Sequence, residues 1–254
     1  MIPIQILRVL STIRTYDVRA LLMGGQACVL YGAAEYSRDL DLAVLSTPDA
    51  LPALRAALAA LDAIVIAVPS FDVRYLDRGH AVHFSIPDGS ASPLRVDIMS
   101  RMRGVDAFPA LWKRRTTIAL PTDDDATELL VDVMALEDLV AAKKTQRDKD
   151  WPMLRRLVDA SYVAARDDVV TSAHVDFWLA ELRSPAFLAE VIAMYPEAAA
   201  RSSRSVVRAA LNQDDIDAAL AAEQARVMAE DRAYWAPLRR ELEALRFDAR
   251  RLSE

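Results

Sequence analysis

The chain is poor in the residues that staple small extracellular folds. Cys28 is the single cysteine in 254 residues, which excludes an intrachain disulfide framework and a cysteine-rich zinc site. A lone cysteine fits a reducing compartment, so the expected location is the cytoplasm. Histidine is equally scarce. His80 and His83 lie three apart on what reads as a turn and a strand, His174 stands alone, and all three read as structural or surface residues. Cys28 falls on an apolar helix face and reads as core. No apolar run reaches the ~18 residues that cross a bilayer. The opening MIPIQILRVLSTIRTY is broken by Arg8 and Arg14, unlike a secretory signal, so no membrane partner is expected. A formal net charge of -6 argues against broad electrostatic coating of nucleic acid. The basic groups Lys113-Arg114-Arg115 and Arg239, Arg240, Arg246, Arg250, Arg251 read as solvated helix faces paired with acids such as Glu241 and Glu243.

What is present is enough for a large core, since 53% of the residues are hydrophobic. Ile6, Leu7, Leu10 and Ile13 recur at helical spacing and predict an N-terminal helix. The first half then alternates periods. Leu21 to Met23 reads as a strand, Gln26 to Tyr36 as a helix, Leu40 to Leu45 as a strand and Ala50 to Leu61 as a helix. Strands follow at Ile64–Val68, Phe71–Leu76, Ala81–Ile86 and Leu94–Met99, separated by turn signals that include Pro87-Asp88-Gly89. Thr116 to Leu120 reads as a strand, and Leu129 to Met134 as a strand or a helical turn. From about Leu136 the pattern is helical, with Pro152, Pro185, Pro196 and Pro237 as punctuation.

Glycine is scarce too, at 6 residues, none of them after Gly104, yet Gly24 and Gly25 stand side by side at the end of a strand and the start of a helix. Such a pair presents backbone N–H groups with no side chain in the way, a cradle for phosphate; it equally suits a tight turn. Just downstream, Asp39 and Asp41 open the next strand. Alternation points both to one face, while Leu40, Leu42 and Val44 cover the other. Leu94-Arg95-Val96-Asp97-Ile98-Met99 repeats the device with Asp97 opposite Leu94, Val96 and Ile98. Aspartate is depleted in strands, and clustered carboxylates repel one another unless a cation intervenes. Hard oxygen ligands without nearby His or Cys favour Mg²⁺.

Gly-Gly, helix, Asp-x-Asp on a strand and a third Asp on a later strand resemble the nucleotidyltransferase superfamily that includes DNA polymerase beta. VMALEDLVAAKKTQRDKDW, Val133 to Trp151, is similar to the Leu-Glu-Asp-Leu, Lys, Arg-x-Lys-Asp region of bacterial nucleotidyltransferases related to the AbiEii abortive-infection toxins. The similarity spans about Leu21 to Trp151. Three positions depart from it. Where relatives read Arg-x-Thr-x-Asp-x-Asp, this chain has Glu35, Ser37, Asp39 and Asp41, with Arg38 able to offset the reversed charge at Glu35; Met153 stands where a second Asp commonly follows.

The resemblance implies an α+β fold, a mixed β-sheet of the nucleotidyltransferase type flanked by helices and followed by a helical C-terminal half. Residues 1–135 would form the nucleotidyltransferase core and 136–254 a helical C-terminal domain. It further implies that Gly24 and Gly25 hold the triphosphate of an NTP and that Asp39, Asp41 and Asp97 bind Mg²⁺ or Mn²⁺ and carry catalysis, their carboxyl groups converging on the sheet. Ser37 would donate to a phosphate or serve a helix end or turn, and Arg38 would join it in binding the nucleotide. Residues Leu139 to Asp150 read as helical, so Lys143, Arg147 and Asp150 share one stripe and Lys144 and Asp148 an adjacent one suited to a surface pair. Lys143 would reach the nucleotide phosphates, with Arg147 beside it oriented by Asp150. The implied activity is transfer of an NMP from an NTP to tRNA or a protein, as a toxin with an antitoxin partner. Transfer to a small hydroxylated molecule, as in aminoglycoside nucleotidyltransferases, and a catalytically inactive binding protein with the same fold are the alternatives.

Overall fold

A computed structural model describes residues 2–87, 93–122 and 128–251. The N-terminal helix α1 (Ile4–Thr15) buries Ile6, Val9, Leu10 and Ile13, the apolar face set by its periodicity. Then come β1 (Ala20–Met23), α2 (Gly24–Leu30), β2 (Leu40–Val44), α3 (Leu51–Ala60), β3 (Ile64–Val65), α4 (Val73–Arg78), β4 (Val82–Ile86) and β5 (Leu94–Met99). After α5 (Phe108–Arg114), β6 (Thr116–Pro121) and β7 (Glu128–Val133) complete the strands. The rest is helical: α6 (Leu136–Ala142), α7 (Asp150–Ala165), α8 (Ser172–Glu181), α9 (Pro185–Met194), α10 (Pro196–Arg201), α11 (Ser205–Leu211) and α12 (Ile216–Arg251).

Among the described residues, seven strands form one mixed sheet in the order β3-β4-β5-β2-β1-β7-β6. The pairs β2 with β5 and β1 with β7 are parallel; the others are antiparallel. Register decides which side chains meet. His83 lies opposite Asp97, Asp97 opposite Asp41, and Asp41 opposite Met23, so four neighbouring strands set these residues in one lateral row. The rows on either side, Leu40 with Val96 and Phe84, and Leu42 with Ile98 and Val82, face the other way and are buried. One hydrophobic core runs from Leu22 and Leu42 of the sheet to Trp178 and Leu188 of the helical half.

Several segments differ from their sequence reading, among them Pro237, which lies inside α12 instead of ending a helix, and Ile64–Val68, of which only Ile64–Val65 is strand. Phe71–Leu76 is not a strand. Asp72 accepts a hydrogen bond from the Arg74 amide and caps α4, which ends at Gly79; these local signals outweigh the apolar run. The helix expected to reach Tyr36 stops at Leu30, because Gly32 takes a left-handed φ of +74° and Ala33 N–H returns to Cys28 O, a Schellman-type closure. Leu139–Asp150 is not one helix. The chain leaves α6 at Lys143 and re-enters helix at Asp150, while Thr145 Oγ1 accepts from the Arg147 amide and Asp231 captures the Gln146 amide at 2.8 Å. The seven residues of α5, with Pro109 in the first turn, were not anticipated. Asp88 and Gly89 of the expected turn lie outside the described residues.

Candidate functional site

The lateral row opens into a cavity of about 350 Å³ lined by Gly24, Asp41, His83, Arg95, Asp97 and Lys143, together with Arg147 and Trp235. The glycine pair makes room for it. A Cβ on Gly24 would lie 1.8 Å from Asp41 Oδ2 and 2.7 Å from Asp41 Cβ, and Gly24 holds φ +67°. A Cβ on Gly25 would lie 2.3 Å from Ser37 Oγ. In this structure the pair therefore serves the close approach of Asp41 and Ser37.

The two carboxylates are held differently. Burial pushes the Asp41 carboxyl above the usual range, the charge of Asp97 adds to the rise, and Lys143 and the Gly25 amide oppose it. Burial pushes Asp97 the same way, yet hydrogen bonds from His83 and Arg95 outweigh it and hold Asp97 below the usual range. His83 Nδ1 sits 2.8 Å from Asp97 Oδ1, while Arg95 Nε donates to Oδ1 at 2.9 Å and Arg95 NH2 to Oδ2 at 3.0 Å. His83 is thus part of the site and not a bystander. Alternation carried the signal, since Val82, Phe84 and Ile86 are buried and leave His83 on the carboxylate face.

Asp39 departs from the expected three-carboxylate convergence. It precedes the first residue of β2, is exposed and does not line the cavity, although its charge still reaches Asp41 and Arg95. Among the described residues no three His, Cys, Asp or Glu side chains gather closely enough to hold a metal. Ser37 is half-buried against Gly25, with its hydroxyl 3.4 Å from Asp39 O, and Arg38 is exposed.

Lys143, Arg147 and Asp150 do come together, through a turn instead of a helical stripe. Asp150, 4% exposed, accepts from Arg147 Nε at 2.7 Å and from Thr145 Oγ1 at 2.5 Å, and lies 3.9 Å from Lys143 Nζ. Lys144 does not pair with Asp148. It reaches Glu181 of α8 at 2.6 Å.

Long-range contacts bring in α12, which local sequence gave no reason to place here. Asp231, 2% exposed, accepts from the Gln146 amide, and Glu230 accepts from Arg103 NH2 at 2.9 Å. Further along, Glu241 pairs with Arg78 and with His80 Nε2 at 2.9 Å, not with a neighbouring arginine of its own helix. The other basic run is paired as expected: Arg114 with Asp138 and Asp106, Arg115 with Asp132. His80 is buried and structural, and His174 helps cap α8. No helix among the described residues is long and apolar enough to cross a membrane. Compared with known proteins, the chain matches neither a family model nor a curated protein.

Proposed function

We propose that the chain is a Mg²⁺-dependent nucleotidyltransferase that moves an NMP from an NTP to a macromolecular acceptor, tRNA or protein, as a toxin restrained by an antitoxin would. The observation that carries this reading is the pairing of Asp41 with Asp97 across neighbouring parallel strands, in a cavity that also receives Lys143 and Arg147. Two carboxylates competing for one buried space favour a divalent cation, and Mg²⁺ takes one or two carboxylates plus substrate phosphates. Asp41 and Asp97 fit that demand without Asp39. When bound, the ion would neutralise the triphosphate and the departing pyrophosphate.

The chain's own residues supply the rest. Lys143 offers a cation to the phosphates from the cavity wall, and Asp150 holds the Arg147 guanidinium beside it. Arg95 and His83 keep Asp97 ionised, so that it can accept a hydrogen bond from an acceptor hydroxyl. A second reading, a binding protein that has lost catalysis, is favoured by one observation: Arg95 engages both Asp97 oxygens.

Incubation with each labelled NTP, Mg²⁺ or Mn²⁺, total tRNA and cell lysate is expected to label one acceptor. NTP binding with no labelled acceptor selects the binding-protein reading; label on a small molecule selects the small-acceptor alternative. Lys143→Ala is expected to lower kcat/KM for the NTP by about 10²-fold, whereas Lys144→Ala leaves NTP use unchanged. Lys144→Ala breaks the half-buried pair with Glu181, so it should lose about 1–3 kcal/mol of stability instead. Equal kinetics for the two variants would remove Lys143 from the site.

A further inference from the structure

Of the four tryptophans, three have their rings engaged. Trp112 stacks on Phe108 at 5.8 Å and carries the Arg115 guanidinium at 4.1 Å; Trp151 lies under Arg183 at 4.4 Å; Trp178 meets Tyr162 edge-on and stacks with His174. Trp235 is different. Among the described residues its one ring contact is the adjacent Tyr234, nearly perpendicular at 88°, and no guanidinium covers it. It is half-exposed and lines the same cavity as Asp41 and Asp97.

The helix that carries Trp235 is fastened on both sides of it. Before it, Asp231 binds the Gln146 amide and the Tyr234 hydroxyl packs over Gly79; after it, Leu238 reaches the same glycine and Glu241 pairs with Arg78 and His80. The backbone that carries the indole is therefore fixed at the cavity's edge, with little main-chain ordering left for a ligand to impose. The cavity thus combines a charged floor with a planar aromatic wall, joined by the apolar side chains of Met99 and Met102. A phosphate needs only the floor. A flat, apolar ring face suits the aromatic base of the same molecule.

We propose that Trp235 is the platform on which the base of the substrate nucleotide stacks, so that α12 of the helical half completes a nucleotide site whose phosphate end lies on the sheet. This rests on the nucleotidyltransferase reading above. Base stacking on an aromatic side chain tolerates every base, so the platform contributes affinity shared by all four nucleotides.

The test is calorimetric binding of ATP, GTP, CTP, UTP and inorganic tripolyphosphate, each with Mg²⁺, to the full chain and to Trp235→Leu and Trp235→Phe. Trp235→Leu is expected to weaken the nucleotide that binds best by roughly 5- to 100-fold while leaving tripolyphosphate unchanged, and Trp235→Phe to stay within about threefold. Tripolyphosphate binding also reports that the variant is folded. Nucleotide affinity within twofold of wild type in Trp235→Leu would overturn the proposal. Equal loss of nucleotide and tripolyphosphate would overturn it as well, since the indole would then act through packing alone. If wild type binds neither, the nucleotide reading itself falls, and stacking with it.

Discussion

Asp41→Asn is expected to abolish nucleotide transfer, by roughly 10³-fold or more, while the protein stays folded. An asparagine keeps the shape that fits over Gly24, but it removes the charge that would hold the cation, worth several kcal/mol of transition-state stabilisation. Stability should move the other way. A carboxyl whose folded pKa is raised favours folding while protonated and opposes it once ionised. The Asp41 penalty therefore sets in as pH rises from the ordinary carboxylate range through the raised value. The variant should equal or exceed wild-type stability at pH 7, by about 1 kcal/mol at most, and lose that advantage in acid. Urea unfolding at pH 7 and pH 4 beside the labelling assay checks both halves. Transfer at the wild-type rate would remove Asp41 from catalysis, and an unfolded variant would make it structural.

Gly24→Ala should cost about 2–5 kcal/mol, a large share of the stability of an ordinary domain, and should empty the site of function. Two effects add. An alanine at φ +67° carries roughly 1–2 kcal/mol of left-handed strain. Its Cβ would also lie 2.7 Å from Asp41 Cβ, an atom that no side-chain rotation moves, so β2 itself must shift and carry the carboxylate away from Asp97. Gly32→Ala separates the two. Its φ of +74° is nearly the same, but nothing lies within 4 Å of an added Cβ, so only the strain term of about 1–2 kcal/mol remains. Unfolding measurements on both variants should give the larger loss at Gly24. Equal losses would mean that the contact with Asp41 contributes nothing.

The two substitutions bracket what was legible before the fold was known. The apolar rows of β2 and β5 were readable from alternation, and with them the face on which Asp41 and Asp97 stand. Asp39 lies one residue before β2, where alternation no longer fixes the face of a side chain, and it is exposed. His83 obeyed the same alternation as its neighbours, yet its meaning came from the β4–β5 register that sets it opposite Asp97. The turn at Lys143–Lys149 was hidden for a different reason. Its sequence is compatible with helix, and a distant carboxylate, Asp231, takes the Gln146 amide in place of the helix backbone.

By itself, then, the sequence determined the periodic elements: a buried strand flanked by a glycine pair, two carboxylates opposite apolar faces, and a change to helical spacing near Leu136. Those signals are local, because backbone geometry repeats every two or 3.6 residues and writes itself into neighbouring positions. Only the tertiary structure decided which strands are neighbours, that Arg95 and His83 hold Asp97, and that Trp235 and Asp231 reach the cavity from α12. Contacts between elements that are separate along the chain leave no periodic trace in it. They are settled by which faces must be buried together.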